Sequence, residues 1–476
     1  MKYLKRIVLA VFILITVLCL AACIILEVEN RQTDYLKIEN NADLINNTYL
    51  IKNVNVVPVT DDTVLWNKMV LIENGLIAAI SDTTTRDGIK TIDGEGGFLS
   101  PGLIDMHMHL WDRFELGLYL ANGVTSVRNL LGMPMHLNVR DDINSDKLIG
   151  PVFFTASPQF TGAQDKSVEK KRIHTAEEAK ELVEQFKQQG YDYIKTYNRL
   201  PKDIFDATIE QAIASEIPIV AHPSFDVDYQ YHFNPAISTV EHTEDIVQQA
   251  LEGKLDSAQL PAIIQGYAAS QQTHCPTLVI FFNITEILNK EDRVLTSEQA
   301  FYINPFIREI YMGDYDKWMA LKAKDSTITK RINDQHLFHV DIVRKLHEAG
   351  VNIVCGTDAG VLNTAPGFSV HQELAFYKMA GMSNYEALKT ATINPSTVYR
   401  EYEKFGTIEK GKYANLILSR ENPLNNLATL KNPEFVFIKG RVIDKKLMES
   451  FKQKAYDRKN YGPTLIRFAK YILWEK

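Results

Sequence analysis

Between residues 99 and 405, short apolar runs alternate with amphipathic segments in a strand–helix rhythm. Helices are predicted at Thr175–Gln188, where Thr175 and Glu178 form a capping box, and at Lys202–Ser215. About eight strands that alternate with helices predict an α/β fold, a (β/α)8 TIM-like barrel. The predicted strands are Leu103–His109, Val124–Leu130, Val152–Ala156, Tyr193–Tyr197, Ile217–His222, Thr239–His242, Thr277–Phe281 and Ile353–Asp358.

Segments of β character flank this region on both sides. Residues 48–98 contain short apolar runs separated by turns, and Asn74-Gly75 between two of these runs is typical of a hairpin. Residues 406–445 return to the same character, so we expect both segments to build one small β-sandwich. Residues 446–476 are predicted to form a peripheral helical tail.

A long polar and aromatic insertion is predicted between the last two strands, at residues 283–334. Loops after barrel strands cover the mouth of the barrel, where they determine specificity. We therefore expect this insertion to lie over the site, although its sequence does not reveal its role.

The first 28 residues have the pattern of a signal or membrane-anchor segment. Basic residues precede an unbroken apolar run, Ile7–Leu26, which is long enough to span a bilayer as an uncleaved helix. Alternatively, Leu20-Ala21-Ala22-Cys23 resembles the bacterial lipobox, in which the cysteine is lipidated. We expect export to the bacterial cell envelope with anchoring by lipidated Cys23 or by the helix, and a linker at residues 29–47.

Composition excludes one class of partner. The chain has 476 residues and a formal net charge of −7 at pH 7, so no basic surface for nucleic acid is predicted. Of its four cysteines, Cys275 and Cys355 lie in apolar runs of the body, and we assign them no role. A homo-oligomer is neither indicated nor excluded.

The chemistry of the chain is concentrated at the ends of the predicted strands. Side chains two residues apart on a strand share a face, so His107 and His109 leave the first strand together. Because the carboxyl ends of barrel strands meet at one mouth, the polar residues of several strands converge there. These residues are His107, His109, Lys195, His222, His242 and Asp358.

The order of these motifs resembles the amidohydrolase superfamily, especially its imidazolonepropionase-like and bacterial prolidase-like branch. The motifs are PGLIDMHMH, YIKTY, AHPS, VEHTE, GTDAG and GTIEKGKYANLILSRENPL, and the resemblance covers residues 48–445. It implies a distorted barrel flanked by a β-sandwich made from both chain ends.

The resemblance also implies two divalent metal ions, for which zinc suits the imidazole and carboxylate ligands. The implied ligands of the first ion are His107, His109 and Asp358, and those of the second are His222 and His242. Lys195 would bridge the ions as a carbamate formed with carbon dioxide. Burial and positive neighbours lower the pKa of a lysine, which leaves the neutral amine that this reaction needs.

The implied reaction is hydrolysis of a carbon–nitrogen bond in a small amide, peptide-like or cyclic amide substrate through a metal-bridging hydroxide. Asp358 would accept a proton and pass it to the leaving group. Tyr197 shares the face of Lys195 and is a candidate donor to the developing oxyanion, with packing at the rim as the alternative. His371, on the following helix, is expected to be either a surface residue or a support for the site.

Other functions remain open at this point. A mononuclear aminohydrolase (deaminase) or a lactone hydrolase would use the same barrel, although the deaminases' glutamate after the fifth-strand histidine is missing in His222-Pro223-Ser224-Phe225-Asp226. A Schiff-base lyase with Lys195 as nucleophile would leave four histidines unexplained. A non-catalytic, anchored binding protein is the remaining alternative.

Overall fold

The computed structural model describes residues 2–84, 86, 88–255 and 258–476. The strands are Tyr49–Val56, Leu65–Glu73, Leu76–Ser81, Lys90–Asp93, Phe98–Pro101, Leu103–Met108, Val124–Asn129, Val152–Thr155, Phe160–Gly162, Lys171–Ile173, Ile194–Thr196, Ile219–Ala221, Ile237–Glu241, His274–Cys275, Leu416–Ser419, Phe435–Ile438 and Arg441–Asp444. The α-helices are Lys2–Gln32, Ala42–Ile45, Phe114–Ala121, Pro134–Asn144, Ala176–Gln189, Lys202–Ala214, Thr243–Asp245, Leu260–Ser270, Leu278–Lys290, Pro305–Lys324, Ile328–Glu348, Phe368–Met379, Asn384–Thr390, Lys445–Tyr456 and Tyr461–Lys470.

The strands near both ends of the chain form one eight-stranded sheet, here called the split sheet. Strand Phe98–Pro101 lies between Tyr49–Val56 from the amino-terminal part and Leu416–Ser419 from the carboxyl-terminal part. Leu416 pairs with Pro101, so the register fixes the chain just before the first histidine-bearing strand. Buried apolar side chains from both parts pack in one cluster.

The hairpin predicted at Asn74-Gly75 is present. Strands Leu65–Glu73 and Leu76–Ser81 pair antiparallel on either side of it. Asn74 and Gly75 both have positive φ angles, 51° and 79°, as a tight two-residue hairpin turn requires.

Two parallel sheets form the centre of the fold, and together they make it TIM-barrel-like. One contains Leu103–Met108, Val124–Asn129 and Val152–Thr155 in that order. The other has the order Lys171–Ile173, Phe160–Gly162, Ile194–Thr196, Ile219–Ala221, Ile237–Glu241 and His274–Cys275. Single parallel bridges connect Ala156 with Tyr193, His274 with Ile353 and Met108 with Ala359.

The strand predicted at Thr277–Phe281 is wrong, because this run begins the helix Leu278–Lys290. The strand at this position is His274–Cys275, and Thr277 turns the chain with a left-handed φ of 49°. The carboxylate of Glu373 accepts the N–H groups of Leu278 and Val279, each at 2.9 Å, and so satisfies two free donors of the helix start. An apolar run of this length fits a buried strand and a buried helix equally well.

Two other predicted segments take a form that differs in detail. In the run predicted as the strand Ile353–Asp358, Ile353 is the one described residue that forms a β-bridge, and Asp358 has a left-handed φ of 56°. The segment at residues 283–334 is mainly helical, with Pro305–Lys324 at its centre.

The amino terminus is a single helix, Lys2–Gln32, whose apolar side chains are largely exposed. It is long and apolar enough to cross a membrane, which is consistent with a signal peptide or signal anchor. The segment predicted as a linker, residues 29–47, packs against the body, because Leu36 and Leu44 are fully buried in the main core.

Candidate metal centre

Two histidines leave the first central strand toward one carboxylate. His107 lies on strand Leu103–Met108 and His109 follows it, and both are almost fully buried. Nε2 of His109 lies 2.7 Å from Oδ1 of Asp358, and Nε2 of His107 lies 3.3 Å from the same oxygen. The two-residue spacing therefore brings both rings to Asp358.

Backbone contacts hold Asp358 against the first strand. Its N–H donates to the carbonyl of His107 at 2.7 Å, with a left-handed φ of 56°. A Cβ atom at Gly356 would lie 2.7 Å from Cβ of His107, so this close approach requires glycine. Burial raises the pKa of the Asp358 carboxyl, but His107 and His109 lower it more, so the pKa lies well below its usual value. Asp358 is therefore anionic.

Two further imidazoles extend the cluster. His222 directly follows strand Ile219–Ala221, and His242 directly follows Ile237–Glu241. The ring centroids of His107 and His242 are 4.7 Å apart, and those of His242 and His222 are 4.6 Å apart. Burial and the neighbouring histidines lower the pKa of both rings well below 6.5, so both are neutral and can donate a lone pair to a metal ion.

Lys195 lies on strand Ile194–Thr196 and is fully buried. Its Nζ atom has no hydrogen-bond partner among the residues that the structure describes. Burial lowers the pKa of Lys195 to about 8; the carboxylates of Glu241 and Asp358 oppose this shift, and Arg128 adds to it. The neutral amine is thus accessible near neutral pH.

Glu241 is a site residue that the sequence analysis missed. Nδ1 of His107 donates to its Oε2 at 2.7 Å, and Arg128 donates to its Oε1 at 3.0 Å. All three side chains are buried. A carboxylate on the second nitrogen of a metal-binding histidine fixes the ring orientation. The signal in the sequence was a glutamate within the apolar strand before His242.

Tyr197 and His371 lie in different surroundings. The ring of Tyr197 stacks on His222 with centroids 4.2 Å apart, and Tyr197 lines the cavity beside the histidines. Nε2 of His371 donates to the carbonyl of Asn122 at 2.9 Å. His371 does not line this cavity and is therefore a structural residue.

The histidines open into a cavity of about 390 Å³. Its wall includes Ile307, Ile310 and Tyr311, so the segment predicted to cover the mouth contributes to it. Phe468, from the predicted helical tail, also lines it. Lys195 is not among the residues that line it.

The arrangement fits divalent metal ions. Ligand atoms of His107, His109 and Asp358 lie within 4.8 Å of one another. Three buried nitrogen atoms of the predicted set have no hydrogen-bond partner among the described residues, namely Nδ1 of His109, Nδ1 of His222 and Nζ of Lys195. Neutral imidazoles with an anionic carboxylate form the donor set that zinc and similar ions prefer. The structure thus brings all six predicted residues to one place.

Comparison with known sequences gives a family match over most of the chain. The family model described as "Amidohydrolase family" matches residues 98–443. An imidazolonepropionase of Idiomarina loihiensis is 22% identical over an alignment of 402 residues, and the match covers 77% of this chain and 90% of that protein. A dihydroorotase of Carboxydothermus hydrogenoformans is 53% identical over 64 residues, and the match spans only 13% of this chain and 14% of that enzyme.

Solved structures with the same fold cover a similar range. A Xaa-Pro dipeptidase with bound methionine superposes with a TM-score of 0.63 and 20% identity, over 83% of this chain and all of that chain (100%). The bottromycin amidohydrolase superposes with a TM-score of 0.71 and 21% identity, over 89% of this chain and 95% of that chain. At these identities the likeness supports the TIM-barrel-like fold.

Proposed function

The chain belongs to the amidohydrolase family, as its motifs predicted, and from this premise we propose that it is a metal-dependent hydrolase that cleaves a carbon–nitrogen bond. The single observation that carries the proposal is the meeting of His107 and His109 at Asp358, inside a cavity that also receives His222 and His242. These four imidazoles come from the ends of three different strands.

The metal site is proposed to be binuclear. His107, His109 and Asp358 would hold one ion, and His222 and His242 the other, with zinc as the first candidate. The buried, unpartnered amine of Lys195 supports a bridging role. The neutral amine would add carbon dioxide and release one proton, and the resulting carbamate would offset the charge of both ions. Bound divalent ions would supply Lewis acidity, which polarises a carbonyl and makes water more acidic.

The protein's own residues would move the protons. Asp358 is anionic and touches both first-strand histidines, so it can accept a proton from attacking water and return it to the departing nitrogen. The Tyr197 side chain faces the same cavity and can donate its phenolic hydrogen to the developing oxyanion.

The cavity supports a small substrate of mixed polarity. Its volume of about 390 Å³ and its apolar wall of Ile307, Ile310 and Phe468 suit a compact amide or peptide-like molecule. An amide with a small or cyclic amine is the first candidate because of the prolidase-like motifs. A Schiff-base role for Lys195 is disfavoured, since this lysine does not line the cavity.

An aminohydrolase on the same barrel is the second candidate. The specific observation in its favour is Glu244, which lines the cavity and whose pKa is raised by burial, and by the charge of Asp358, to about 7. A protonated carboxyl at this position could donate a proton to a ring nitrogen. A lactone hydrolase remains a further variant of the same chemistry.

We also propose the wider organisation of the chain. The single bridges between the parallel sheets support closure of residues 99–405 into an eight-stranded barrel. The split sheet supports a β-sandwich made from residues 48–98 and 406–445. The exposed apolar helix supports export to a bacterial cell envelope, with an anchor formed by the helix or by lipidated Cys23.

The proposal is tested by metal analysis of the purified full-length protein, combined with a panel of dipeptides, cyclic amides, lactones and amino-heterocycles. We expect about two divalent ions per chain and metal-dependent turnover of an amide. Turnover of an amino-heterocycle with one ion per chain would favour the second candidate. Metal-free protein without metal-restored activity would instead indicate a binding protein.

A further inference from the structure

The outward face of the last helix is apolar although it is exposed. Along Tyr461–Lys470 and the turn that continues it, Leu465 and Leu473 lie eight residues apart and are 43% and 64% exposed. Trp474 is 77% exposed. A surface helix normally turns its polar side to water, and among the described residues nothing covers these three side chains.

The inward face of the same helix packs against the body of the protein. Phe468 packs on Trp111 and Phe306, with ring centroids 5.9 Å and 5.5 Å apart. The Oγ1 atom of Thr464 accepts the side-chain amide of Asn304 at 2.9 Å. The helix is therefore docked, and its outward apolar face is not an unfinished part of the core.

Polar contacts tie this helix to the end of the apolar amino-terminal segment. Glu29 lies three residues after the apolar run Ile7–Leu26 and is 3% exposed. Its Oε1 atom accepts hydrogen bonds from Arg467 and from Asn460, both at 3.1 Å. Either form of anchor, an uncleaved helix or a lipid on Cys23, would leave Glu29 within a few residues of the bilayer.

We propose that the outward face of residues 461–475 rests in the interfacial region of the membrane as a second contact beside the anchor. Tryptophan prefers this region, and Trp474 presents an exposed indole at the end of this segment. Ile310, which is 50% exposed, lines the catalytic cavity together with Phe468 of this helix. The contact would thus hold the cavity mouth next to the membrane surface. This proposal does not depend on the reaction that the site catalyses.

The test uses the full chain in phospholipid nanodiscs, with bromine carried on the acyl chains as a fluorescence quencher. The four tryptophans are Trp66, Trp111, Trp318 and Trp474. We expect bromolipid to quench the wild type, and the quenched fraction to fall by at least half in Trp474→Phe. The matched control Trp66→Phe removes a tryptophan of the split sheet that is 62% exposed and should not lower the quenched fraction.

A second variant, Leu465→Glu with Leu473→Glu, should reduce the quenching of Trp474 by bromolipid. It should increase the quenching of Trp474 by acrylamide, a water-soluble quencher, while the Tm stays near that of the wild type. Equal bromolipid quenching in the wild type and in Trp474→Phe would overturn the proposal. Shielding from acrylamide that rises with protein concentration, without bromolipid quenching, would also overturn it, because the face would then bind a second copy of the chain.

Discussion

Nδ1 of His107 lies 2.7 Å from Oε2 of Glu241, and the other oxygen of this carboxylate binds Arg128 at 3.0 Å. Arg128 and Glu241 are fully buried, and His107 is 1% exposed. Burial raises the pKa of Glu241, but Arg128 and His107 lower it more, so it lies well below its usual value. Glu241 is therefore an anionic positioning residue for His107, whose Nε2 faces Asp358.

Glu241→Gln should weaken metal binding by about 10- to 100-fold, because the imidazole loses its orienting carboxylate. The measurement is a competition titration with a chelator. The variant also removes the carboxylate that pairs with the buried charge of Arg128, and it should lower the Tm. The double variant with Arg128→Met separates the two effects, since it should recover Tm without recovering metal affinity. Full recovery of affinity in the double variant would contradict the orienting role.

Lys195→Ala should lose bound metal and activity, because the proposed carbamate disappears with the amine. Addition of a small carboxylate such as acetate or propionate should restore part of both. Lys202→Ala is the control, since Lys202 is an exposed lysine paired with Asp206 at 2.7 Å. Wild-type turnover in Lys195→Ala would rule out the bridging role.

Tyr197→Phe should lower kcat by about 10- to 100-fold with little change in KM, if the hydroxyl acts on the oxyanion. The substitution keeps the ring that stacks on His222, so metal content should remain that of the wild type. Kinetics on the best substrate of the panel and metal analysis provide the two readouts. An unchanged kcat would assign Tyr197 to packing at the rim.

His371 predicts a pH dependence of stability outside the site. Burial lowers its pKa to about 4, whereas the unfolded chain has the ordinary value near 6.5. Between these values the unfolded state binds more protons, so stability falls as the pH decreases from 6.5 and levels off below 4. His371→Gln, which can still donate to Asn122, should lose about 2 kcal/mol less than the wild type between pH 6.5 and 5.

Thermal unfolding at a series of pH values checks this prediction. The control is His174→Gln, because His174 is exposed and should show the same acid-induced loss of Tm as the wild type. If His371→Gln also follows the wild-type curve, then other buried histidines account for the loss.

The sequence predicts those site residues whose positions follow from the spacing along a strand or from the end of a strand. A two-residue spacing on a strand is enough to bring His107 and His109 to one face, and the ends of parallel strands meet wherever they lie in the sequence. Lys195, His222 and His242 follow from the same rule. The role of Glu241 does not follow from this rule. It depends on the contact with Arg128, which lies 113 residues away in the sequence and meets Glu241 only in the folded protein.

The predictions that failed also depend on contacts between residues that are distant in the sequence. The run Leu278–Phe281 is apolar enough for a strand, and the carboxylate of Glu373, brought from another helix, favours a helix start there. Likewise, Phe468 lines the cavity from the carboxyl-terminal tail, whose sequence shows only that it is amphipathic. Where a local sequence pattern fits more than one structure, contacts with residues distant in the sequence therefore determine which structure forms.

The pairing of Leu416 with Pro101 has a consequence for biosynthesis. When the amino-terminal strands of the split sheet emerge from the ribosome, one neighbour of Phe98–Pro101 is still about 300 residues from being made, and such distant pairings form slowly. Its open strand edge must stay protected from aggregation throughout synthesis and any translocation. Premature termination before residue 416 would therefore leave this edge of Phe98–Pro101 without its partner strand.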